Sequence, residues 1–375
     1  FKTDNINLTF YSLNKMYDAI GIFFFIDQLF TYVHLPFSAL GLILNAFCML
    51  VFKLKRDKFQ KTLYTYLKII VLCSIQISLL QIFFCLLTSR IVLNIGNNIT
   101  FQKILTYFII PVHNTMIFFK NVLEIFTILD RISIFELRTR KLMNNSPHKI
   151  AFFCFTIILI LNIPQFFAYK TIEYKYVQLD SNLSNRQKIN SIHFTEVSKI
   201  SQSHLGKIMF IMLILIRNIG VFLVEIVLNI LSFFLLKKYL NKKLYNQMNY
   251  NSNTNRAIND AIIEMNRVIL LANNYIINTT QHNKNLRILQ CEKNKTKMIF
   301  ILCSMSILHQ FSLTMPLLYT IFHSVSSLMS AYFIFIGAFI MSIRNLLNFF
   351  IFYFFNQNFK RECNRFILNL VKCNS

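Results

Sequence analysis

One stretch in the middle of the chain, ILTYFIIPVHNTMIFFKNVLEIFTILDRISIFELRTR, limits the folds that the whole protein can adopt. From Ile104 to Asp130 it is long and apolar enough to cross a bilayer, which takes roughly 20 residues of helix. Lys120 and Glu124 interrupt it, and because they lie four residues apart they share one helix face. Charges at this depth are costly in lipid, so both side chains should face a protein interior and find partners there.

The composition agrees with a membrane protein. Of the 375 residues 55% are hydrophobic and only 14% are charged, and the charged residues collect between long apolar runs. The net charge of +24 raises the question of nucleic-acid binding. However, the basic residues lie in loops beside apolar spans, where they orient a membrane protein and meet anionic headgroups. We therefore expect membrane lipid as a partner and no nucleic acid.

Seven apolar spans predict an all-α membrane protein, a seven-transmembrane helix bundle over residues 34–355. Residues 1–33 form an N-terminal segment, 237–297 form the third cytoplasmic loop and 356–375 form the tail. The spans cover approximately 34–52, 63–87, 104–130, 149–169, 208–236, 298–322 and 328–355.

Most Lys and Arg residues outside the spans fall in segments that are cytoplasmic if the amino terminus is outside. The positive-inside rule then predicts a multi-pass plasma-membrane protein with an extracellular N-terminus. On that topology the sequons at Asn7, Asn98 and Asn182 are glycosylation candidates. None of the eight cysteines falls in a predicted extracellular segment, so an outer disulfide framework is not expected. Because residue 1 is Phe, we expect a fragment or a processed form.

In two polar segments, apolar residues recur at the spacing of a helix. In the third cytoplasmic loop, apolar residues over 258–272 recur with helical spacing, which favours an amphipathic helix over a poorly ordered Asn-rich segment. In the tail, a stripe that includes Phe359 and Cys363 predicts a short amphipathic eighth helix along the inner leaflet. Cys363 and Cys373 are palmitoylation candidates there, and two unmodified thiols fit the pattern equally well.

Motifs of catalysis are missing from the sequence. With only six Gly there is no phosphate-cradling loop, and neither HExxH nor a nucleophile elbow occurs. We therefore expect no enzyme activity, no cofactor and no metal site.

Asp130-Arg131-Ile132, at the cytoplasmic end of the third of seven spans, resembles the Asp-Arg-Tyr motif of rhodopsin-like G-protein-coupled receptors, with Ile in place of Tyr. Other spans carry weaker likenesses to that family. Asn45 matches its first-span Gly-Asn signature with the Gly displaced, and Pro316 matches its sixth-span proline. The stretch from Asn348 to Tyr353 resembles Asn-Pro-x-x-Tyr, with Phe349 in place of Pro and the Tyr one residue late.

The departures from the family are substantial. The chain has no Trp, and Thr106 lies near the place of the usual third-span cysteine, whose partner in the second outer loop is also absent. Cys73 or Ser74 replaces the second-span Asp, which in the family helps to hold a sodium ion. Our hypothesis is an internal polar network in place of that ion, built from Asn45, Lys120, Glu124 and Arg344. The chain is most similar to divergent invertebrate peptide (FMRFamide-type) or chemosensory receptors.

The resemblance implies an extracellular ligand, either a peptide or a small molecule, and a heterotrimeric G protein. Asp130 would restrain Arg131 in the inactive state, and Asn348 with Tyr353 would take part in the switch. His113 and Asn114 would lie at the level of the ligand pocket and line it, although a lone His in a span is often only a packed residue.

Two other functions remain open. The buried charges can line an ion path, which makes a multi-span transporter or ion channel the main alternative. Against it stand the lack of an internal repeat and of paired broken spans. A chemosensory protein that acts without G proteins is the third possibility. Lys120 and Glu124 are also compatible with a structural pair that sets helix register.

The topology can be tested with epitope tags in live cells. We expect a tag within 1–33 to be stained on intact cells, and a tag within 356–375 or just after Arg131 to be stained only after permeabilisation. Surface staining of the tag after Arg131, or of both termini, would contradict the odd number of crossings.

Overall fold

The computed structural model describes most of the predicted spans and part of the segments between them. It covers residues 28–54, 62–89, 98–136, 146–167, 169–179, 187–197, 215–235, 296–312 and 327–373, with a few isolated positions. The amphipathic segment predicted at 258–272 and Pro316 lie outside the described residues. Among the described residues, five helices are long and apolar enough to cross a membrane: Leu29–Lys53, Thr62–Thr88, Pro147–Phe167, Leu215–Tyr239 and Ile336–Phe355.

The helices follow the predicted order closely, and we number them along the chain. A π-helical turn, Leu29–His34, leads into α1 (Leu35–Leu54), which is followed by α2 (Thr62–Thr88). Ile99–Ile104 and the π-helical turn Leu105–Ile109 lead into α3 (Ile110–Phe135). The others are α4 (Pro147–Asn162) with a 3₁₀ turn Ile163–Phe167, α5 (a π-helical turn Leu215–Gly220 continued over 221–235), α6 (296–312), α7 (Ser327–Phe355) and α8 (Gln357–Cys373).

The prediction of a helical, multi-pass membrane protein is confirmed, whereas the count of seven crossings stays a prediction. The third helix is not among the five apolar candidates because its polar side chains lower its hydropathy. It packs between α2 and α4, so those side chains face protein rather than lipid. The described part of α6 is shorter than the roughly 20 residues that a crossing needs.

A β-hairpin follows α4, between the predicted fourth and fifth spans. Strands β1 (Tyr169–Leu179) and β2 (Gln187–Val197) pair antiparallel, from Tyr169 opposite Val197 to Leu179 opposite Gln187. Thr171 Oγ1 donates to Thr106 Oγ1 at 3.3 Å, which ties the hairpin to the start of the third helix. These are the two segments that a disulfide joins in the family that the sequence resembles. The structure describes the side chains of six cysteines, and all six are free thiols.

The largest apolar cluster lies in the inner half of the bundle, where α1, α2, α3, α6 and α7 meet α8. Phe359 on α8 is fully buried, and its ring centroid lies 5.4 Å from that of Phe52 and 5.8 Å from that of Phe352. Asn356 explains the sharp break between α7 and α8. Its Oδ1 accepts from the backbone N–H of Phe359 at 3.2 Å, as an N-cap residue does, and from Tyr64 Oη at 3.4 Å.

The two ends of α8 differ in their surroundings. Phe359 and Cys363 are fully buried against the bundle, whereas Ile367, Leu368 and Val371 are exposed, as expected for a helix that lies on a bilayer. The buried position of Cys363 argues against its palmitoylation, because an acyl chain on this thiol does not fit the observed packing. The side chain of Cys373 lies outside the described residues, so its palmitoylation stays a prediction.

We expect Phe359→Ala to lower the free energy of unfolding by about 3–5 kcal/mol, because it removes a fully buried ring from the inner cluster. The measurement is denaturant unfolding of the purified chain in micelles. Leu368→Ala on the exposed face of the same helix is the matched control and should have little effect. Equal losses of unfolding free energy for the two variants would show that α8 does not pack as described.

Candidate functional site

An ion pair between α7 and α3 lies at the centre of the bundle. Arg344 Nη2 lies 2.5 Å from Glu124 Oε1, and the two side chains are 1% and 3% exposed. Arg344 Nη1 also donates to Asn121 Oδ1 at 3.1 Å, so the planar guanidinium group contacts two residues on one face of α3. A buried charge is tolerated only when it is paired and hydrogen-bonded, and Glu124 supplies the opposite charge for Arg344.

Lys120 joins the same two helices one turn away. Its side chain is fully buried, and Nζ donates to Asn345 Oδ1 at 2.7 Å. Lys120 and Glu124 share a face of α3, as predicted from their spacing, yet each has its own partner on α7. The structure thus brings Lys120, Glu124 and Arg344 together, as the sequence analysis expected for an internal network.

Glu225 extends the cluster to α5 and α6. Its Oε1 accepts from Ser306 Oγ at 3.2 Å and its Oε2 accepts from Gln310 Nε2 at 3.4 Å. Ser306 Oγ also lies 3.5 Å from Asn121 Oδ1, and through Asn121 the contacts reach Arg344. We call Asn121, Lys120, Glu124, Glu225, Ser306, Gln310, Arg344 and Asn345 the central network. Its two carboxylates match its two cations, Lys120 and Arg344.

A second set of amide contacts links α7 to α1 and α2. Asn45 Nδ2 donates to the carbonyl oxygens of Gly41 at 2.7 Å and Asn345 at 2.8 Å. Asn348 Nδ2 donates to Asn45 Oδ1 at 3.3 Å and to Ser74 Oγ at 3.0 Å. Asn45 therefore belongs to the polar interior, as predicted, and Asn348 adjoins it.

The acid–arginine doublet lies near the end of α3 that is predicted to be cytoplasmic. Arg131 Nη2 lies 3.2 Å from Asp130 Oδ2, and the two side chains are only 7% and 10% exposed. The pair is therefore buried within the bundle rather than exposed at the membrane interface. This geometry fits the restraint that the resemblance implies for Arg131.

Tyr353 and Asn348, predicted as partners in a switch, face different directions. Asn348 is buried against α1 and α2. Tyr353 Oη donates to Asn364 Oδ1 at 3.1 Å on α8, and Lys360 Nζ lies 5.5 Å from its ring centroid. In this arrangement Tyr353 holds α8 to the end of α7 and does not contact Asn348.

The predicted pocket residues lie in the half of the bundle that is predicted to be extracellular. His113 and Asn114 are half-buried on α3, and His113 Nε2 has no hydrogen-bond partner among the described residues. On another helix, His34 Nδ1 lies 3.0 Å from Cys85 Sγ, and His34 Nε2 lies 3.2 Å from Ser342 Oγ. Within the described ranges no three His, Cys, Asp or Glu side chains converge in a way that holds a metal ion.

Sequence reasoning missed several members of the site. Asn121 and Asn345 lie within three residues of Glu124 and Asn348, and the helical spacing is the signal that could have placed them on the same faces. Ser306 and Gln310 show the same four-residue spacing on α6. Nothing in the sequence marked His34 and Cys85 as neighbours.

The glycosylation candidates stay predictions. Asn98 is exposed, and its Oδ1 caps Ile99–Ile104 by accepting from the backbone N–H groups of Thr100 at 2.8 Å and Phe101 at 3.4 Å. These bonds leave Nδ2, the atom that a glycan modifies, out of the cap. Asn7 and Asn182 lie outside the described residues.

Comparison with protein-family models finds no match for this chain, and comparison with curated proteins finds no similar one. The likeness to rhodopsin-like receptors therefore rests on the motifs and the contacts described above.

The Arg344–Glu124 pair can be tested by a double-mutant cycle. We expect Glu124→Gln and Arg344→Gln each to cost about 3–5 kcal/mol of unfolding free energy, because each leaves one buried charge unpaired. The double variant should recover about 0.5–3 kcal/mol relative to the sum of the two.

Arg365→Gln serves as the control for this cycle. Arg365 is 57% exposed and pairs with Glu362 at 3.2 Å, so its loss should cost less than about 1 kcal/mol. If the losses of unfolding free energy for the Glu124 and Arg344 variants were strictly additive, this result would contradict the ion pair.

Proposed function

We propose that this chain is a plasma-membrane receptor with seven crossings, in which an extracellular peptide or small molecule activates a heterotrimeric G protein inside the cell. The observation that carries the proposal is the buried Asp130–Arg131 ion pair at the predicted cytoplasmic end of α3. Its position on the third of seven predicted spans supports a likeness to rhodopsin-like receptors of the divergent invertebrate peptide or chemosensory type.

The central network supports a mechanism of transmission. It links α3, α5, α6 and α7 through direct contacts, so a ligand that moves one of these helices must rearrange or break contacts to the others. Buried polar contacts of this kind have discrete arrangements, which suits a two-state element. The ligand shifts the bundle only if it binds the active arrangement more tightly than the inactive one.

Arg131 is the proposed coupling residue. Asp130 accepts a charge-assisted hydrogen bond from its guanidinium group, which holds the side chain within the bundle in the inactive state. In the active state Arg131 leaves Asp130 and contacts the G protein in a cleft between α3, α5 and α6. The exposed basic residues of α8 then lie beside anionic headgroups of the inner leaflet.

This proposal predicts opposite effects for the two members of the doublet. In vesicles that contain G proteins, Arg131→Ala should abolish guanine-nucleotide exchange that depends on the receptor. Asp130→Asn should raise basal exchange by about tenfold, because a charge-assisted bond of about 1.5 kcal/mol no longer favours the inactive state. Lys103→Ala, an exposed change at the outer end, is the control and should match wild type. Exchange that is unaffected by Arg131→Ala would count against the receptor.

A transporter or ion channel is the second candidate, and the buried charges of the central network favour it. Charged residues within a membrane often mark ion or proton paths. The close contacts of Arg344 with Glu124 and of Lys120 with Asn345 fill that region, which argues for a packed interior rather than a hydrated path. Ion flux into liposomes that Glu124→Gln abolishes would favour this candidate over the receptor.

A further inference from the structure

His34 lies at the end of the π-helical turn before α1, where it meets both α2 and α7. Its side chain is 1% exposed. Nδ1 lies 3.0 Å from Cys85 Sγ on α2, and Nε2 lies 3.2 Å from Ser342 Oγ on α7. Both partners are buried as well. The imidazole therefore joins three elements through direct contacts, and neither the central network nor the acid–arginine doublet includes it.

The hydrogen bonds around this ring indicate which nitrogen carries the proton. Ser342 Oγ donates to Gln81 Oε1 at 3.4 Å. Because a hydroxyl group has one hydrogen, Ser342 Oγ accepts from the Nε2–H group of His34. The ring also donates to the backbone carbonyl of Ala338, one turn before Ser342 on α7. A neutral imidazole has a single N–H, so the lone pair of Nδ1 faces Cys85 and the thiol donates to it.

A sulfur and an imidazole nitrogen in contact are the ligand types that soft metal ions prefer. The thiol hydrogen between Sγ and Nδ1 occupies the place that a metal ion would take. With bonds of about 2.0 Å to nitrogen and 2.3 Å to sulfur, the two atoms must move apart by about 1 Å, which small rotations of the two side chains allow. A metal-binding His usually donates its other N–H to a second group, and Ser342 already provides that acceptor.

A third polar side chain adjoins the pair without changing its ligand type. Ser38 Oγ on α1 lies 3.4 Å from His34 Nδ1 and 3.1 Å from Ser342 Oγ. A hydroxyl oxygen is a hard ligand and competes poorly with a thiolate for a soft ion. Ser38 therefore helps to orient the ring, and the ligand set remains one nitrogen and one sulfur.

The charges around the pair favour a monovalent ion. The elements that meet here, Leu29–His34, α1, α2 and α7, contain no Asp or Glu over their whole ranges. When a monovalent ion replaces the thiol proton on Sγ, one positive charge leaves as another arrives, and the site stays neutral. A divalent ion such as Zn²⁺ leaves one positive charge without a counter-charge, which is costly in a buried place.

We propose that His34 Nδ1 and Cys85 Sγ bind a soft monovalent metal ion, of the Cu⁺ class, between the π-helical turn and α2. The S–H bond breaks, bonds from the metal to sulfur and nitrogen form, and the proton passes to solvent without a change of oxidation state. Two ligands are enough because Cu⁺ accepts two-coordinate geometry. The sequence gave no sign of this site because its ligands lie 51 positions apart. The proposal does not depend on the receptor function.

Polar side chains continue from the site to the end of α2. Thr31, one turn before His34, donates from Oγ1 to Ser89 Oγ at 3.5 Å. Ser89 follows Cys85 by one turn and lies directly after the last residue of α2. An ion and the departing proton therefore have hydroxyl groups along the way between the pair and the helix end.

The test measures metal binding to the purified, fully reduced chain in micelles without oxygen. Cu⁺, kept reduced with ascorbate, is titrated in competition with a Cu⁺ chelator, and Ag⁺ and Zn²⁺ are compared with it. We expect wild type to bind one Cu⁺ that Ag⁺ displaces and Zn²⁺ does not. X-ray absorption of the bound copper should show one sulfur and one nitrogen ligand.

Variants then locate the site. Cys85→Ser should lose this Cu⁺, whereas Cys154→Ser, a half-buried thiol on α4, is the matched control and should bind as wild type does. Ser342→Ala leaves both ligands in place and should weaken binding roughly 10- to 100-fold, because the ring loses the acceptor that orients it. If Cys85→Ser does not fold, His34→Gln keeps the thiol and should weaken binding by at least about tenfold.

The proposal is overturned if wild type binds no Cu⁺ against the chelator, or if Cys85→Ser retains the same number of ions. It is also overturned if His34→Gln binds Cu⁺ as tightly as wild type, since the thiol alone would then be the ligand. Equal displacement of the bound ion by Zn²⁺ and Ag⁺ would contradict the charge argument and with it the monovalent site.

Discussion

The burial of Arg344 is the constraint on which the interior of this bundle depends. A guanidinium group that is 1% exposed needs an opposite charge at contact distance, and Glu124 on α3 provides it. Because the two residues lie on different helices, their pairing determines how α7 is rotated and placed along α3. The contacts of Lys120 with Asn345 and of Asn348 with Asn45 follow from that register. Moving α7 by one turn would separate all of these pairs at once.

The sequence predicted where the helices begin and end better than it predicted which side chains contact one another. The second span was expected over 63–87 and the helix is Thr62–Thr88, because a long apolar run ends where charged or polar residues begin. The charges at Lys120 and Glu124 were recognised as buried because lipid excludes them. Which amides meet them depends on the rotation of α7, and a single sequence does not determine that rotation. The hairpin was missed because strand pairing in a polar segment carries a weak pattern.

The hydrogen bond between Thr106 and Thr171 attaches the outer hairpin without a covalent link. A disulfide at such a place needs an oxidising lumen to form and a reductant to break. A bond between two hydroxyl groups needs neither, and its net strength is on the order of 1 kcal/mol. This contact between the hairpin and the third helix therefore does not depend on the redox state of its surroundings, and dithiothreitol should leave it intact.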